Sequence, residues 1–385
     1  MKKIFFLLIL FVSLNTVTQN KQILYGFTEN PQTLLLNPGA ETNYKFHVGI
    51  PFLSGLSGDV GLKNFKLTDL FSEDGIDFNT KFFRLLNKLD ANDHLKLNLQ
   101  MDVLNAGFRV DAKTYISFGF YQELDVIGYW PKDVITFLNE GNASYLNRSF
   151  DLSQIVFKAD FVGALHVGVS RKINSKLTLG GRFKIYSSTL NLETQNNSGT
   201  LTTQRGSNNI YTHYLNTIDM NFLSAGLVEN DEFLENPLEL ITNSFLGGSL
   251  GVGLDFGMTY HFSPRLEFTG SIIDFGYINY SKKVQNTTVK GSYTFEGVNF
   301  VFDATNPTNY WEILNVDFEE KVPRENNTNS YTSWRPTRVN AALKYSFGNE
   351  MRSKYCYDNT FKEFYTDAFG LQIHTIMRPL RPQYA

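Results

Sequence analysis

Residues of types that could do chemistry are few in this chain of 385 residues, and their spacing restricts them further. Gly247-Gly248-Ser249-Leu250-Gly251 has the G-x-S-x-G form of a hydrolase nucleophile elbow, which requires a strand, a sharp turn and then a helix. Here a strand follows, so glycines alternating along a crowded sheet account for the motif better. Asp160 and His166 lie on one side of a strand, six residues apart. At about 3.3 Å per residue they stand about 20 Å apart, too far for a dyad. The six His residues show no H-x-x-x-H or H-E-x-x-H spacing and no G-x-x-x-x-G-K loop occurs, so neither a metal nor a cofactor is expected. Cys356 is the one cysteine. It excludes a disulfide framework and a Cys-based zinc cage, and with no neighbouring His it reads as an inert loop thiol. Enzymatic activity is not expected.

Composition excludes other classes. The 35 basic against 38 acidic residues give 35 − 38 = −3 without a basic stripe, which leaves no electrostatic footing for nucleic acid. Aromatic content is high, with 34 Phe and 20 Tyr against 3 Trp. At the N-terminus Lys2 and Lys3 precede nine apolar residues, Ile4 to Val12, and then the small-residue site Thr16-Val17-Thr18. This is the pattern of a cleaved export signal over residues 1–18. A membrane-spanning helix needs about 20 apolar residues, so the segment is too short to be an anchor.

What remains must be positioned by strands. Leu95, Leu97, Leu99, Met101 and Val103 alternate with Lys96, Asn98, Gln100 and Asp102, the period-2 pattern of a strand with one apolar and one wet face. The apolar parity then changes to Leu104, Ala106, Phe108 and Val110, as a bulge requires. Asp111-Ala112-Lys113 makes a short turn, and Ile116, Phe118 and Phe120 return. A second hairpin runs from Ile155 to Val169, turns at 171–175, and returns through Leu177, Leu179, Phe183 and Ile185. Its wet side carries Lys158, Asp160, Arg182 and Lys184, which read as a solvated lattice of ion pairs facing the interior. A third runs from Leu250 to Phe262, turns at 263–265 and returns through Leu266, Phe268 and Ile272. Further strands start at Val339 and Phe369.

These strands reach ten or more residues, against about 5 to 6 in soluble sheets and about 9 to 11 in a tilted membrane strand. Tight turns alternate with long polar connections at 127–152, 191–209 and 282–335, as in barrels with short turns on one side and long loops on the other. Lipid cannot satisfy backbone polar groups, so such strands must close into a ring. The expected fold is all-β: an antiparallel transmembrane outer-membrane β-barrel over residues 19–385, with something like 12 to 16 strands. Asn79–Leu89, Pro131–Leu138 and a Pro-started Asp231–Phe245 have helical spacing and are expected as lids or plugs. Residues 378–385 do not form a closing apolar strand ending in an aromatic, so the ring is expected to be incomplete there.

Four segments resemble outer-membrane barrels of the long-chain fatty-acid transporter superfamily, in particular relatives from bacteria that use type IX secretion. Leu36-Asn37-Pro38-Gly39-Ala40 is similar to that group's N-terminal Asn-Pro-Ala segment, with Gly39 in place of Ala. Residues 50–57, Gly253-Leu254-Asp255-Phe256-Gly257-Met258-Thr259-Tyr260 and Ile273-Asp274-Phe275-Gly276-Tyr277-Ile278 are similar to its strands. The resemblance covers most of residues 23–378. It implies a barrel of about 14 strands whose N-terminal segment, residues 19–45, folds into the lumen as a hatch through Leu34, Leu35, Leu36, Asn37 and Pro38. The bland alternative is that these residues simply begin the first strand.

The expected function is passage of a hydrophobic or poorly soluble small molecule across the outer membrane, through an apolar lumen pocket gated by the N-terminal segment. The alternative, which the resemblance also allows, is a non-transporting barrel that serves as partner or shuttle for type IX secreted or gliding-machinery surface proteins. The expected partners are outer-membrane lipid, a hydrophobic ligand and, for the alternative, a secreted protein.

Overall fold

The computed structural model describes residues 21–51, 55–64, 67–206, 210–229, 232–233, 237–297, 309–354, 361–378 and 382–384. The proposed signal segment and Cys356 lie outside them. Within them the chain is antiparallel β with short helices, and no helix is long and apolar enough to cross a membrane.

The wall consists of β1 (Leu56–Leu62), β2 (His94–Arg109), β3 (Thr114–Tyr129), β4 (Phe157–Lys172) and β5 (Leu177–Thr194). After the intervening β6 (Tyr211–Ala225) it continues with β7 (Ser249–His261) and β8 (Leu266–Tyr280). Past β9 (Asn286–Phe295) and β10 (Tyr331–Trp334) it ends with β11 (Thr337–Lys354) and β12 (Phe361–Met377). Hydrogen-bonded ladders join β1, β2, β3, β4, β5, β7, β8, β11 and β12 in that order. The sheet curls so that inward side chains of β3 meet those following β12: Arg378 donates to Asp125 at 2.5 and 3.1 Å. Among the described residues no ladder joins β12 to β1, so the expected ring takes the form of a strongly curled sheet.

Three wall turns are closed by the same local device, a side-chain oxygen accepting from backbone N–H groups two and three residues on. Asp111 accepts from Lys113 and Thr114 at 2.7 and 2.8 Å, and Asn174 from Lys176 and Leu177 at 2.8 and 2.9 Å. Ser263 does the same for Arg265 and Leu266. The parity change after Asp102 is a register shift in the β2–β3 ladder.

Burial along the wall is inverted relative to a soluble sheet. In β7, Asp255 is wholly buried while Leu250, Val252, Leu254 and Phe256 are 40% to 52% exposed. In β4, His166 and Ser170 are buried while Leu165, Val167 and Val169 are exposed. Apolar side chains turned outward around a charged interior suit a lipid solvent, where the hydrophobic penalty for exposure disappears. A cation placed on that face then carries a cost: Phe256→Arg is expected to destabilise the wall by about 2 to 4 kcal/mol if the position lies at mid-bilayer. Denaturant unfolding from lipid vesicles measures it, and no change in midpoint would contradict a lipid-facing wall.

The long connections are more structured than their polarity suggests. Beyond the wall the end of β5 leaves β7 and pairs with β6 through Asn191–Thr194. β6 pairs in turn with β9 and with Ser198–Arg205. This second branch packs around Ile218, Met220, Tyr293 and Val322, an ordinary apolar core. With it the sheet counts 17 strands among the described residues, pieces of three and four residues included. Two expected helices form at Phe78–Lys88 and Lys132–Glu140. The third is shorter than expected, Pro237–Asn243, because Glu232–Phe233 pairs with Val228–Glu229 instead. It is not a plug: it lies on the outer face of the wall, where Gln122 donates to Ser244 Oγ at 2.7 Å and Phe120 stacks on Phe245 at 4.5 Å.

Candidate functional site

The interior of the wall is filled from two directions, by the N-terminal segment and by charged side chains. Thr33–Leu36 forms one helical turn, and Leu34, Leu35, Leu36, Asn37 and Pro38 are all buried. They do not begin a strand, since the first one starts only at Phe46. Leu34 packs with Ala40 and Tyr115, and Leu36 with Tyr25 and Ile273.

Backbone contacts hold the segment more than side chains do. Arg182 donates to the carbonyls of Leu34 and Leu35, and Ser271 donates to Leu36 O at 2.7 Å. Thr259 reaches Gly39 O at 2.9 Å, and Ser170 reaches Ala40 O at 3.1 Å. Asn37 bonds its own turn through Gly39 N at 2.9 Å and donates to Met258 O at 3.2 Å. Three glycines allow this approach: a Cβ on Gly180 would overlap the Pro38 carbonyl and lie 2.5 Å from Gly39 N, and one on Gly257 would lie 2.7 Å from Gly39 N. A Cβ on Gly39 would lie 2.6 Å from Met258 N, which explains why Gly stands here. Beyond the contact, Glu41 accepts from Thr178 at 3.0 Å and pairs with His261 at 3.3 Å. Burial would push its carboxyl up, but His261, Lys172 and Thr178 outweigh it and hold it down at about 2.

Most of the charged side chains form one connected lattice. Lys184 lies between Asp255 at 2.9 Å and Asp274 at 2.6 Å, and Arg182 reaches Asp255 at 3.1 Å. Arg335 and Arg338 converge on Glu123, Arg335 at 2.6 Å, and extend to Asp160 at 3.8 Å and Asp274 at 3.7 Å. Lys158 bridges Asp160 at 3.6 Å and Glu193 at 3.0 Å. Lys21–Asp102 and Arg378–Asp125 stand beside it as separate ion pairs. The seven carboxylates are Asp102, Glu123, Asp125, Asp160, Glu193, Asp255 and Asp274, and the seven cations Lys21, Lys158, Arg182, Lys184, Arg335, Arg338 and Arg378, so the charges balance.

All four interior charges singled out in the sequence, Lys158, Asp160, Arg182 and Lys184, belong to this lattice. They are at most 4% exposed, so the lattice is packed by protein rather than solvated. Arg182 links it to the N-terminal segment. Asp255 and Asp274 were not singled out, although each lies in an Asp-Phe-Gly stretch of a quoted segment. They meet at a β-bulge where the β7–β8 register shifts after Leu254, with Asp274 at φ 61 and its N–H on Asp255 Oδ1 at 2.8 Å.

Ser249 is buried and accepts from the N–H groups of Ser281 and Lys282 at 3.2 and 3.3 Å, on a strand rather than at an elbow. His166 and Asp160 occupy different parts of the wall strand, and no cluster of three or more metal-ligating side chains occurs among the described residues. Two cavities beside the interior charges have linings of mixed polarity. One of about 300 Å³ opens beside Lys158, Glu193, Gln195, Asn196, Asn197 and Ser333. A smaller one of about 80 Å³ is lined by Asp59, Lys96, Asn98, His374 and Arg378 among others. Inward positions carry much of the polar half of the alternating strands, and the apolar side chains beside them, Tyr121, Val162, Ala164, Tyr186, Ile278 and Tyr280, are packed together in a buried cluster.

No curated protein matches the chain. Two solved structures are similar over 83% of this chain and 76% of theirs, at 10% identity. One is the deltaS2S3 mutant of TodX, a monoaromatic hydrocarbon channel, with a TM-score of 0.24, and the other the toluene transporter TodX of P. putida, with a TM-score of 0.21. A family model described as a family of unknown function, DUF5723, matches residues 38–385, and the chain belongs to that family.

Proposed function

We propose that the chain is an exported outer-membrane transport protein for small molecules, in a closed state whose gate is the N-terminal segment. The observation that carries this reading is the contact of Pro38 and Gly39 against Gly180 and Gly257. Hydrogen bonds to backbone carbonyls and a glycine-lined seat hold the segment as one unit, which can leave without unfolding a strand. Its departure would unblock the half of the interior nearest the short turns and release Arg182 from two of its partners. The solute expected from the resemblance is hydrophobic or poorly soluble.

A balanced, buried lattice favours a second reading, a barrel that conducts nothing and serves surface or type IX secreted proteins as partner or shuttle. Deleting Leu34–Ala40 separates the two. Increased uptake of a lipophilic probe by cells carrying the variant supports transport. Unchanged uptake together with reduced secretion of surface proteins overturns it in favour of the second reading.

A further inference from the structure

The connection between β1 and β2 carries a helix that no role above uses. Phe78–Lys88 starts on Asp77, whose carboxylate accepts from Thr80 N at 3.0 Å. Phe78, Phe82, Leu85 and Leu86 recur at i, i+4, i+7 and i+8, so they share one face. That face is not packed away: Phe78 is 49%, Phe82 39% and the adjacent Phe83 47% exposed. Phe71, from the short preceding helix Leu67–Phe71, adds to the patch at 5.9 Å from Phe78, and Phe78 stacks on Phe82 at 6.2 Å. Lys81, Arg84 and Lys88 recur at i, i+3 and i+7 along the flank. Lys81 is tied down by Asp74 at 2.6 Å, whereas Arg84 and Lys88 are exposed.

An apolar patch of this kind calls for an occupant, and its position indicates which. The helix is joined to the wall at the end of the ladder where Leu62 pairs with Leu95, on the side of the long connections. The strands on both sides turn Leu56, Val60, Leu95 and Leu99 outward and exposed. The aromatic face therefore continues the apolar band of the wall past its end, and a row of cations runs beside it. An aromatic face with flanking Lys and Arg is the feature of a helix lying in the plane of a membrane interface.

We propose that Phe78–Lys88 is an interfacial anchor, with Phe78, Phe82 and Phe83 inserted among the acyl chains and Arg84 and Lys88 on phosphate-bearing lipid headgroups. The inference rests on the lipid-facing wall but not on transport. It fixes the depth of the barrel and keeps this connection flat on the membrane rather than over the lumen.

The test uses the full chain with Cys356→Ser, spin-labelled singly at introduced cysteines and reconstituted into vesicles of phosphatidylcholine with or without phosphatidylglycerol. Labels at 78 and 82 are expected to be more accessible to oxygen than to an aqueous nickel complex, at a depth of about 5 to 10 Å, and a label at 84 the reverse. Labels at the wall positions Val167 and Leu371 serve as the reference. If those are in lipid while 78 and 82 are aqueous, or are shielded from both reagents as in a protein contact, the anchor is overturned and the wall stands. If the wall labels are aqueous as well, both fall. Arg84→Glu with Lys88→Glu is expected to raise the helix only in vesicles containing phosphatidylglycerol, and an equal depth in both overturns the headgroup contact.

Discussion

Replacing Gly180 by Val is expected to drive the N-terminal segment out of the wall while leaving the wall intact. Gly180 lies in β5 with the backbone conformation of an ordinary strand, and β-branched residues suit that environment. Its one obligation is to the segment, because any side chain there would occupy the space of the Pro38 carbonyl and the Gly39 nitrogen. The segment would lose its bonds to Ser170, Thr259 and Ser271 together, since all three depend on the same seating. Each neutral hydrogen bond contributes about 1 kcal/mol net, so a shift of tenfold or more in the docked population, equivalent to about 1.4 kcal/mol, is a modest expectation. Limited proteolysis of the detergent-extracted protein between residues 33 and 45 reads the population directly. Conductance in planar bilayers reads its consequence for the lumen. A variant in which both the proteolysis pattern and conductance match the parent would show that the segment is not seated on Gly180.

Much of the wall was legible from residues alone, because a strand between lipid and a polar interior must alternate, and alternation survives without tertiary information. The bulge after Asp102 was visible for the same reason: an extra residue inverts the parity of Leu104 onward. Residues 211–225 were not legible as a strand. In β6 the polar residues Asn216, Thr217 and Asn221 interrupt the pattern, and its apolar partners Tyr293 and Val322 lie far away in the chain. The docked position of Leu34–Leu36 was legible only as an expectation borrowed from similar sequences. Nothing local distinguishes three leucines beginning a strand from three leucines in a helical turn, and the difference is made by Arg182, Ser271 and Ile273, contributed by strands more than 140 positions on. The lattice was half legible. Lys158, Asp160, Arg182 and Lys184 follow from parity, but Arg335 and Arg338 lie at the end of what reads as a polar loop, and the bulge that brings Asp255 to Asp274 leaves no mark in the composition of either strand.

Lys184→Met is expected to be the most damaging single change in the lattice, and the reason bears on what the lattice is for. Among the described residues its ammonium is the one group within ion-pair distance of both Asp255 and Asp274. Without it Asp255 keeps Arg182 at 3.1 Å, but Asp274 keeps Arg338 at 3.7 Å as its one cation among the described residues, with the hydroxyls of Tyr186 at 3.0 Å and Tyr121 at 3.4 Å. Removing one partner of a buried pair strands the other charge, at a typical cost of about 3 to 5 kcal/mol. Removing both partners leaves no stranded charge, so Lys184→Met with Asp274→Asn is expected to recover most of that loss. The measurement is the temperature at which the unheated, fast-migrating form of the detergent-extracted protein converts to the unfolded form on a gel, supported by denaturant unfolding in vesicles. A double variant no more stable than the single one would mean that Lys184 acts by filling space rather than by neutralising Asp274. Recovery would instead establish that the interior is held by charge balance, and a wall stabilised in that way tolerates rearrangement only if each displaced cation finds another carboxylate. Five of each within one connected lattice supply such exchanges, so Arg182 can release the Leu34 and Leu35 carbonyls on opening while still satisfied by Asp255.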